Sequence, residues 1–387
     1  IHRYIAKNIS LCMNHLTLMR HTALLTTLIY LLLCPSCEKK LGKQDEGNDN
    51  TEIKLDPDIA KKIIQDDAGV TAGDGMYSIP LPDGRSIFLM GDSYTGKVTG
   101  GRRSTSDHMF RNTYQVYDNG KVSAITSGDN HSAAIPPGFP DEQRWYWPGH
   151  GFVVGNTLYI FQLQMYQASA GAWGFKYLDT HVLEYSLPKI ELIRDYRIPY
   201  TGSSEAVYGA AALYDGGKVY VYAQYEKANQ SSQNLVSQVL CARTTVEDLG
   251  TEWEYYTGSD WSKDSSKAAP LMGLSAVPVS SQFNVFKLRN KYVLLTQHKM
   301  LGDGRIFTAV ADNPYGPWHN VRQIFKTPYL GNQNWFTYNA MGHPQFEKDG
   351  KLLVSFNVNT NEFSEQFSNV ESYRPRFFWY PIDLIIQ

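Results

Sequence analysis

Cysteine is scarce: the 387 residues hold four, Cys12, Cys34, Cys37 and Cys241. Three of them fall in a leader-like N-terminal segment, so no internal disulfide framework is available and stability must come from a packed core. Net charge of either sign is also missing, with 36 Lys+Arg against 38 Asp+Glu. A chain so balanced lacks the clustered cations of a nucleic-acid surface. No His/Cys group stands at zinc spacing, and no acidic loop has the calcium-hand pattern. Gly91–Lys97 imitates the glycine and lysine spacing of a phosphate loop. Val98 replaces its hydroxyl residue and no helical pattern comes after it, which excludes a nucleotide site.

No apolar run is long enough to span a bilayer. The one in MRHTALLTTLIYLLLCPSC, Met19 to Cys37, is short, follows a basic start and ends in small residues before a cysteine. That is the pattern of a signal sequence. It resembles a bacterial lipoprotein signal, with cleavage before Cys37 and lipidation of its sulfur. Cys34 departs from the residue type usual at its position, and an ordinary secretory signal is the alternative. Residues 1–37 are thus read as an upstream extension plus signal, 38–56 as a flexible polar tether, and 57–387 as a single domain. The expected location is the cell envelope, with a lipid anchor in the outer membrane, on its periplasmic or surface face.

Aromatics are abundant at 13%, with 26 Tyr. Long helical patterns are few, which favours an all-β fold. One unit recurs: a strand, a tight turn and a near-continuous apolar strand. The turns are Asp83-Gly84, Gly155-Asn156, Asp215-Gly216-Gly217, Arg289-Asn290 and Asp349-Gly350. The strands after them begin near Ile87, Leu158, Val219, Tyr292 and Leu353. Such turns are strong hairpin signals, and an unbroken apolar run marks a strand buried on both faces. A third strand follows each hairpin and a fourth follows most. Five copies of four strands predict a five-bladed β-propeller, with a two-sheet sandwich as the alternative. The fifth copy ends at Gln387 without a fourth strand. A segment between about Glu52 and Thr71 is therefore expected to supply it and close the ring.

In GDGMYSIPLPDGRSIFLMGDSY, a turn centred on Asp83 sets Asp74 opposite Asp92 or on its diagonal. Like charges facing each other destabilise a hairpin, so such a pair needs a compensating role. Close carboxyls divide into a protonated and an ionised partner, as glycosidic cleavage requires. The bland alternative is that each Asp caps a turn. Other strand heads expected to face the central funnel are His150, Tyr208, Ser281, Gln282 and His343. Glu205 is the best additional acid, Trp145 and Trp147 could floor a sugar subsite, and Arg374 or Arg376 could hold Asp92 ionised. Each also has a plain structural reading as a core, loop or surface residue.

The motifs GDG…LPDGRSIFLMGDSY, WPGHGFVVGNTLYIF, ADNPYGPW, YNAMGHPQF…LLVSFNVNTN and YRPRFFWYP resemble a group of bacterial lipoproteins of uncharacterised domain type. These in turn look related to endo-D-arabinanase propellers and, more distantly, to five-bladed arabinanase, xylosidase and invertase glycosidases. The resemblance covers about residues 65–387. It implies catalysis by Asp74 and Asp92. Blades two to four lack an obvious further acid at their strand heads, a departure from the arabinanase and xylosidase pattern.

The expectation is a glycoside hydrolase acting on a furanose-containing or related polysaccharide. Asp74, Asp92 and Glu205 are the catalytic candidates, and Trp147, His150, Tyr208, Gln282, His343 and Arg374 the substrate-binding ones. Neither a catalytic metal nor a cofactor is expected, although a structural cation in the funnel is compatible with the reading. The partners expected are an oligo- or polysaccharide and a membrane, through the anchor, without nucleic acid; the chain is expected to be a monomer. A surface glycan-binding propeller without turnover is the alternative.

Overall fold

Each of the five expected turns forms and joins two antiparallel strands. Asp349 and Gly350 show why those residues are there: both have positive φ (52° and 70°), the twist a tight hairpin needs. A computed structural model of the chain describes residues 53–128, 131–138, 143–227 and 236–387. The signal sequence, Cys37 and nearly all of the tether lie outside the described residues. From Ile53 onward the described residues belong to one compact unit.

The first hairpin is split. Strand β1 (Ala72–Gly73) pairs with β4 (Ser93–Tyr94) in a small sheet. Strand β2 (Tyr77–Pro80) pairs with β3 (Ser86–Met90) in a larger one. The small sheet gains β5 (Met109–Phe110), and the larger continues through β6 (Thr113–Asp118) to β7 (Lys121–Ile125). The second sheet runs β8 (Arg144–Val154), β9 (Thr157–Gln167), β10 (Phe175–Ser186) and β11 (Glu191–Arg197). The third has β12 (Ala206–Asp215), β13 (Lys218–Glu226), β14 (Ser237–Thr244), β15 (Glu254–Tyr256) and β16 (Trp261–Ser262). The fourth has β17 (Asn284–Leu288), β18 (Lys291–Gln297), β19 (Arg305–Ala311) and β20 (His319–Lys326). The fifth has β21 (Trp335–Lys348), β22 (Lys351–Thr360) and β23 (Arg376–Pro381). The chain is therefore all-β and built of several sheets.

Apolar layers separate the sheets in chain order. Ile79 and Ile87 of the first sheet meet Leu158 and Ile160 of the second. Phe161 meets Val221 between the second and third, and Tyr222 meets Leu294 between the third and fourth. Val293 meets Val354 between the fourth and fifth. Phe88 and Met90 of the first sheet then meet Leu353 and Phe377 of the fifth. The first strands of the sheets touch in the same cyclic order: β2 with β8, β8 with β12, β12 with β17, β17 with β21, and β21 with β2.

The outer edge of β23 receives Leu55, which bridges to Phe378, and the Asp56 N–H donates to the Phe377 carbonyl at 2.8 Å. Pairing stops there because Pro57 opens helix α1 (Pro57–Ile63), which Asp56 caps by accepting from the Asp58 and Ile59 N–H groups. The other Asp56 oxygen accepts from Trp379 Nε1 at 2.8 Å. The N-terminal segment thus contributes one bridge and a capped helix to this edge, where a full strand was expected. Leu55 and Asp56, read from sequence as the end of the tether, already belong to the fold.

Candidate active site

The register of the opening hairpin is the one its turn dictates: Tyr77 faces Leu89, and beyond the interruption Gly73 faces Ser93. Asp74 and Asp92 occupy the break. The Asp74 N–H donates to the Asp92 carbonyl at 3.2 Å, while the Asp74 carbonyl accepts from the Gly91 N–H at 2.8 Å. Two residues oppose one, the signature of a β-bulge, which re-aims side chains. Gly75 and Met76 turn through positive φ (99° and 63°) to rejoin β2. The glycines before the acids have steric reasons. A side chain on Gly91 would collide with the Asp74 carboxylate, and one on Gly73 with Ser93.

The two acids have different neighbours. Asp74 Oδ2 accepts from the Tyr338 hydroxyl at 2.5 Å, and Asn359 Nδ2 donates to that hydroxyl at 3.3 Å. Burial and the charge of Asp92 push the Asp74 carboxyl up to about 7, against the hydroxyls of Tyr338 and Tyr373. Asp92 Oδ1 accepts from Trp147 Nε1 at 2.8 Å, and Arg111 Nη1 lies 3.4 Å from its Oδ2. The Arg111 guanidinium is itself stacked 4.3 Å from the Trp145 ring. Burial raises the Asp92 carboxyl too, but Arg111 and then Trp147 oppose the rise. The Tyr373 hydroxyl donates to the Asp92 carbonyl at 2.8 Å, fixing the backbone at this point. One carboxyl keeps its proton near neutrality while its neighbour is held by a cation.

A polar belt leads away from the pair. Next to Tyr338, Asn339 Nδ2 donates to Gln282 Oε1 at 2.9 Å. Gln282 Nε2 donates to the carbonyl of Pro148 at 3.4 Å, the neighbour of Trp147. Trp147 of the second sheet and Tyr338 of the fifth thus touch the acids directly, and Gln282, just ahead of β17, links the neighbours of both.

Of the residues singled out from sequence, Asp74, Asp92 and Trp147 come together here, with Trp145 stacked on Arg111 and Gln282 joined through Asn339. Others do not. His343 is 0% exposed, its Nδ1 bonded to Ser78 Oγ at 2.7 Å and its Nε2 to Ser355 Oγ at 2.8 Å. With both nitrogens engaged and burial lowering its pKa to about 3, it is a neutral core residue. His150 stacks on Tyr77 and accepts from the Ala212 N–H, and burial lowers it to about 4. It lines a cavity of about 310 Å³ to which the first strands of the second to fifth sheets and β2 all contribute. Tyr208 is buried against Trp253 and Tyr255 in the layer between the second and third sheets. Arg374 is occupied by the Thr71 carbonyl, Asp66 and Glu371, so Arg111 is the cation of Asp92. Glu205 sits in the turn before β12, its carbonyl accepting from the Glu226 N–H at 3.0 Å. Sequence reading missed Arg111, Tyr338, Tyr373 and Asn339. Tyr338 and Asn339 carried a signal, as neighbours of the fifth strand head, and so did Tyr373, next to Arg374 in YRPRFFWYP; Arg111 carried none.

Fold and site together define an all-β chain of successive sheets with an acid pair at the broken end of its first hairpin. The chain belongs to the family described as a domain of unknown function (DUF5005), whose model matches residues 61–380. No curated protein matches the chain. Among solved structures, a Bacteroides ovatus ATCC 8483 protein, described provisionally as a hydrolase, aligns with a TM-score of 0.68. It is 22% identical, over 85% of this chain and 90% of that one, and shares the fold. A GH43_1 enzyme from Xanthomonas citri aligns at TM-score 0.44 and 14% identity, over 80% of this chain and 88% of that one. An exo-1,5-alpha-L-arabinanase from a bovine ruminal metagenomic library aligns at 0.44 and 10%, over 81% and 94%.

Proposed function

We propose that the chain is a glycoside hydrolase working between Asp74 and Asp92, on a five-bladed β-propeller whose ring is closed by the segment from Leu55 through α1. The propeller reading is supported by the cyclic contacts of the inner strands and by the apolar layer joining the first sheet to the fifth. The observation that carries the activity is the asymmetry of the acid pair: Tyr338 on Asp74, Arg111 and Trp147 on Asp92. A furanose-containing or related polysaccharide is the proposed substrate class.

In the proposed reaction Asp74 donates its proton to the leaving glycosidic oxygen. The acids lie on the two facing strands of one hairpin, joined by the Asp74 N–H to Asp92 carbonyl bond, and the reaction is proposed to retain configuration with Asp92 as nucleophile. The Asp92 carboxylate then attacks the anomeric carbon as the bond to the leaving oxygen breaks. Ester formation removes the Asp92 charge that helped raise Asp74, so the Asp74 pKa falls and its carboxylate, having given up its proton, stays ionised and free to act as general base in the second step. It takes a proton from water, the resulting hydroxide oxygen bonds to the anomeric carbon, and the Asp92 ester bond breaks.

The test is release of reducing ends from arabinans, galactans and fructans by wild type, Asp74→Asn and Asp92→Asn. Release by wild type that falls at least a hundredfold in each variant supports the reading. Binding without release by wild type makes the protein a glycan-binding module instead. Release unaffected by either substitution removes the pair from the mechanism. We further propose that the mature chain is a monomer tethered to the cell envelope through Cys37, on the strength of the Met19–Cys37 pattern. Loss of fatty-acid labelling in Cys37→Ala tests the tether, and light scattering tests the monomer.

A further inference from the structure

An unbroken line of aromatic rings leads outward from Asp92. Trp147, whose indole N–H bonds Asp92, meets Phe175 edge-on at 4.6 Å between ring centroids. Phe175 meets Trp173 at 6.4 Å, and Trp173 meets Phe363 at 6.4 Å. Exposure grows along the line: Trp147 and Phe175 are half-buried, whereas Trp173 is 60% and Phe363 40% exposed. Trp173 belongs to the loop between β9 and β10 of the second sheet, and Phe363 to the loop after β22 of the fifth. Their contact therefore spans the first sheet, which carries the acids.

Large rings left in water at the rim of a polar site mark a recognition surface. Both loops are braced to hold them. Gln167 Nε2 donates to the carbonyls of Ser169 (2.6 Å) and Gly171 (2.9 Å), and the Ala168 N–H donates to the Gly174 carbonyl at 2.8 Å. Glu365 accepts from Trp335 Nε1 at 3.0 Å and Asn332 Nδ2 at 2.9 Å, anchoring the loop behind Phe363. A rigid ring loses little freedom when a ligand stacks on it.

We propose that Trp173, with Phe363 beside it, is a distal subsite that stacks a sugar ring of the same saccharide whose bond lies at Asp74 and Asp92. The apolar face of a pyranose or furanose ring matches an exposed indole, and the aromatic line gives the glycan a continuous path to the acids. The inference rests on the hydrolase reading and adds that the preferred substrate is an oligomer reaching several units from the cleaved bond.

The test compares wild type, Trp173→Ala, Trp173→Phe and Phe363→Ala on arabinan, galactan and fructan oligosaccharides of increasing length. Each protein is also run through gels containing the parent polysaccharides. The subsite predicts that Trp173→Ala loses the preference for long over short oligomers by about tenfold in the kcat/KM ratio, through KM. Phe363→Ala should lose less and Trp173→Phe should recover most of it, with an unchanged Tm. A length preference in Trp173→Ala equal to that of wild type overturns the subsite, while the loss of release in Asp74→Asn would leave the hydrolase reading standing. No release by any protein, combined with gel retardation that Trp173→Ala abolishes, keeps the subsite and overturns the hydrolase reading.

Discussion

The Tyr338 hydroxyl lies 2.5 Å from Asp74 Oδ2 although the two residues are 264 positions apart. It ties the last sheet to the first at the acid that carries no cation of its own. That hydroxyl opposes the upward push of burial on Asp74. Tyr338→Phe removes an opposing hydrogen bond, so the Asp74 pKa rises further. The alkaline limb of the kcat/KM profile, set near 7 in wild type, should move to higher pH. A limb that stays in place, or moves down, would show that another group sets it.

Arg111 acts with the opposite sign on the partner acid. Arg111→Met removes the cation that lowers the Asp92 pKa, so this carboxyl becomes harder to ionise. The acid limb should shift upward, narrowing the profile from below, and kcat/KM below neutrality should fall about ten- to a hundredfold. An unchanged acid limb would contradict the ion pair's role.

The same linkage reaches stability. The folded pKa of Asp74 is raised from 3.8 to about 7, so between those values the folded protein holds a proton that the unfolded chain has released. This contribution is fully present below about 4 and is lost as pH rises through about 7. Asp74→Asn carries no such loss. Its Tm relative to wild type should climb between pH 4 and 8, by roughly 2–4 °C per kcal/mol for a domain of this class. A pH-independent difference in Tm would remove the buried proton from the account.

Stereochemistry reports on the spacing of the pair. A covalent ester on Asp92 predicts that the anomeric configuration survives cleavage. Proton NMR of the first product formed would show it. Inversion would mean that Asp92 activates a water instead of attacking the anomeric carbon itself.

The hairpins were legible because four of the five turns carry glycine at positive φ, while the Arg289-Asn290 turn places it on Arg289, and because the strand after each turn is largely buried. The pairing of Asp74 with Asp92 was legible for the same reason, since a turn fixes the register of the two strands it joins. Arg111 was not: it enters the site from the loop between β5 and β6, and no local pattern records that reach. His150 and His343 misled because a strand head that faces a site and one buried in the core look alike in sequence. The bond from Ser78 that buries His343 comes from 265 residues away. The closing strand failed in part because Pro57 favours a helix start over continued pairing.

That N-terminal segment is open to direct trial. Ile63, buried in the layer between the first and fifth sheets, should cost about 2–5 kcal/mol when cut to alanine. Removal of residues 53–64 should unfold the protein at ambient temperature. A truncated protein that melts with wild type would show that the first and fifth sheets need no such clasp.

The most direct trial of the acid pair is a crystal structure of Asp74→Asn soaked with an oligosaccharide that the wild type cleaves. The expected result is a glycosidic oxygen within hydrogen-bond reach of the side chain at position 74, the adjoining anomeric carbon facing the Asp92 carboxylate, and a further sugar ring lying on Trp173. A saccharide seated elsewhere, with both positions facing only solvent, would contradict the proposed chemistry.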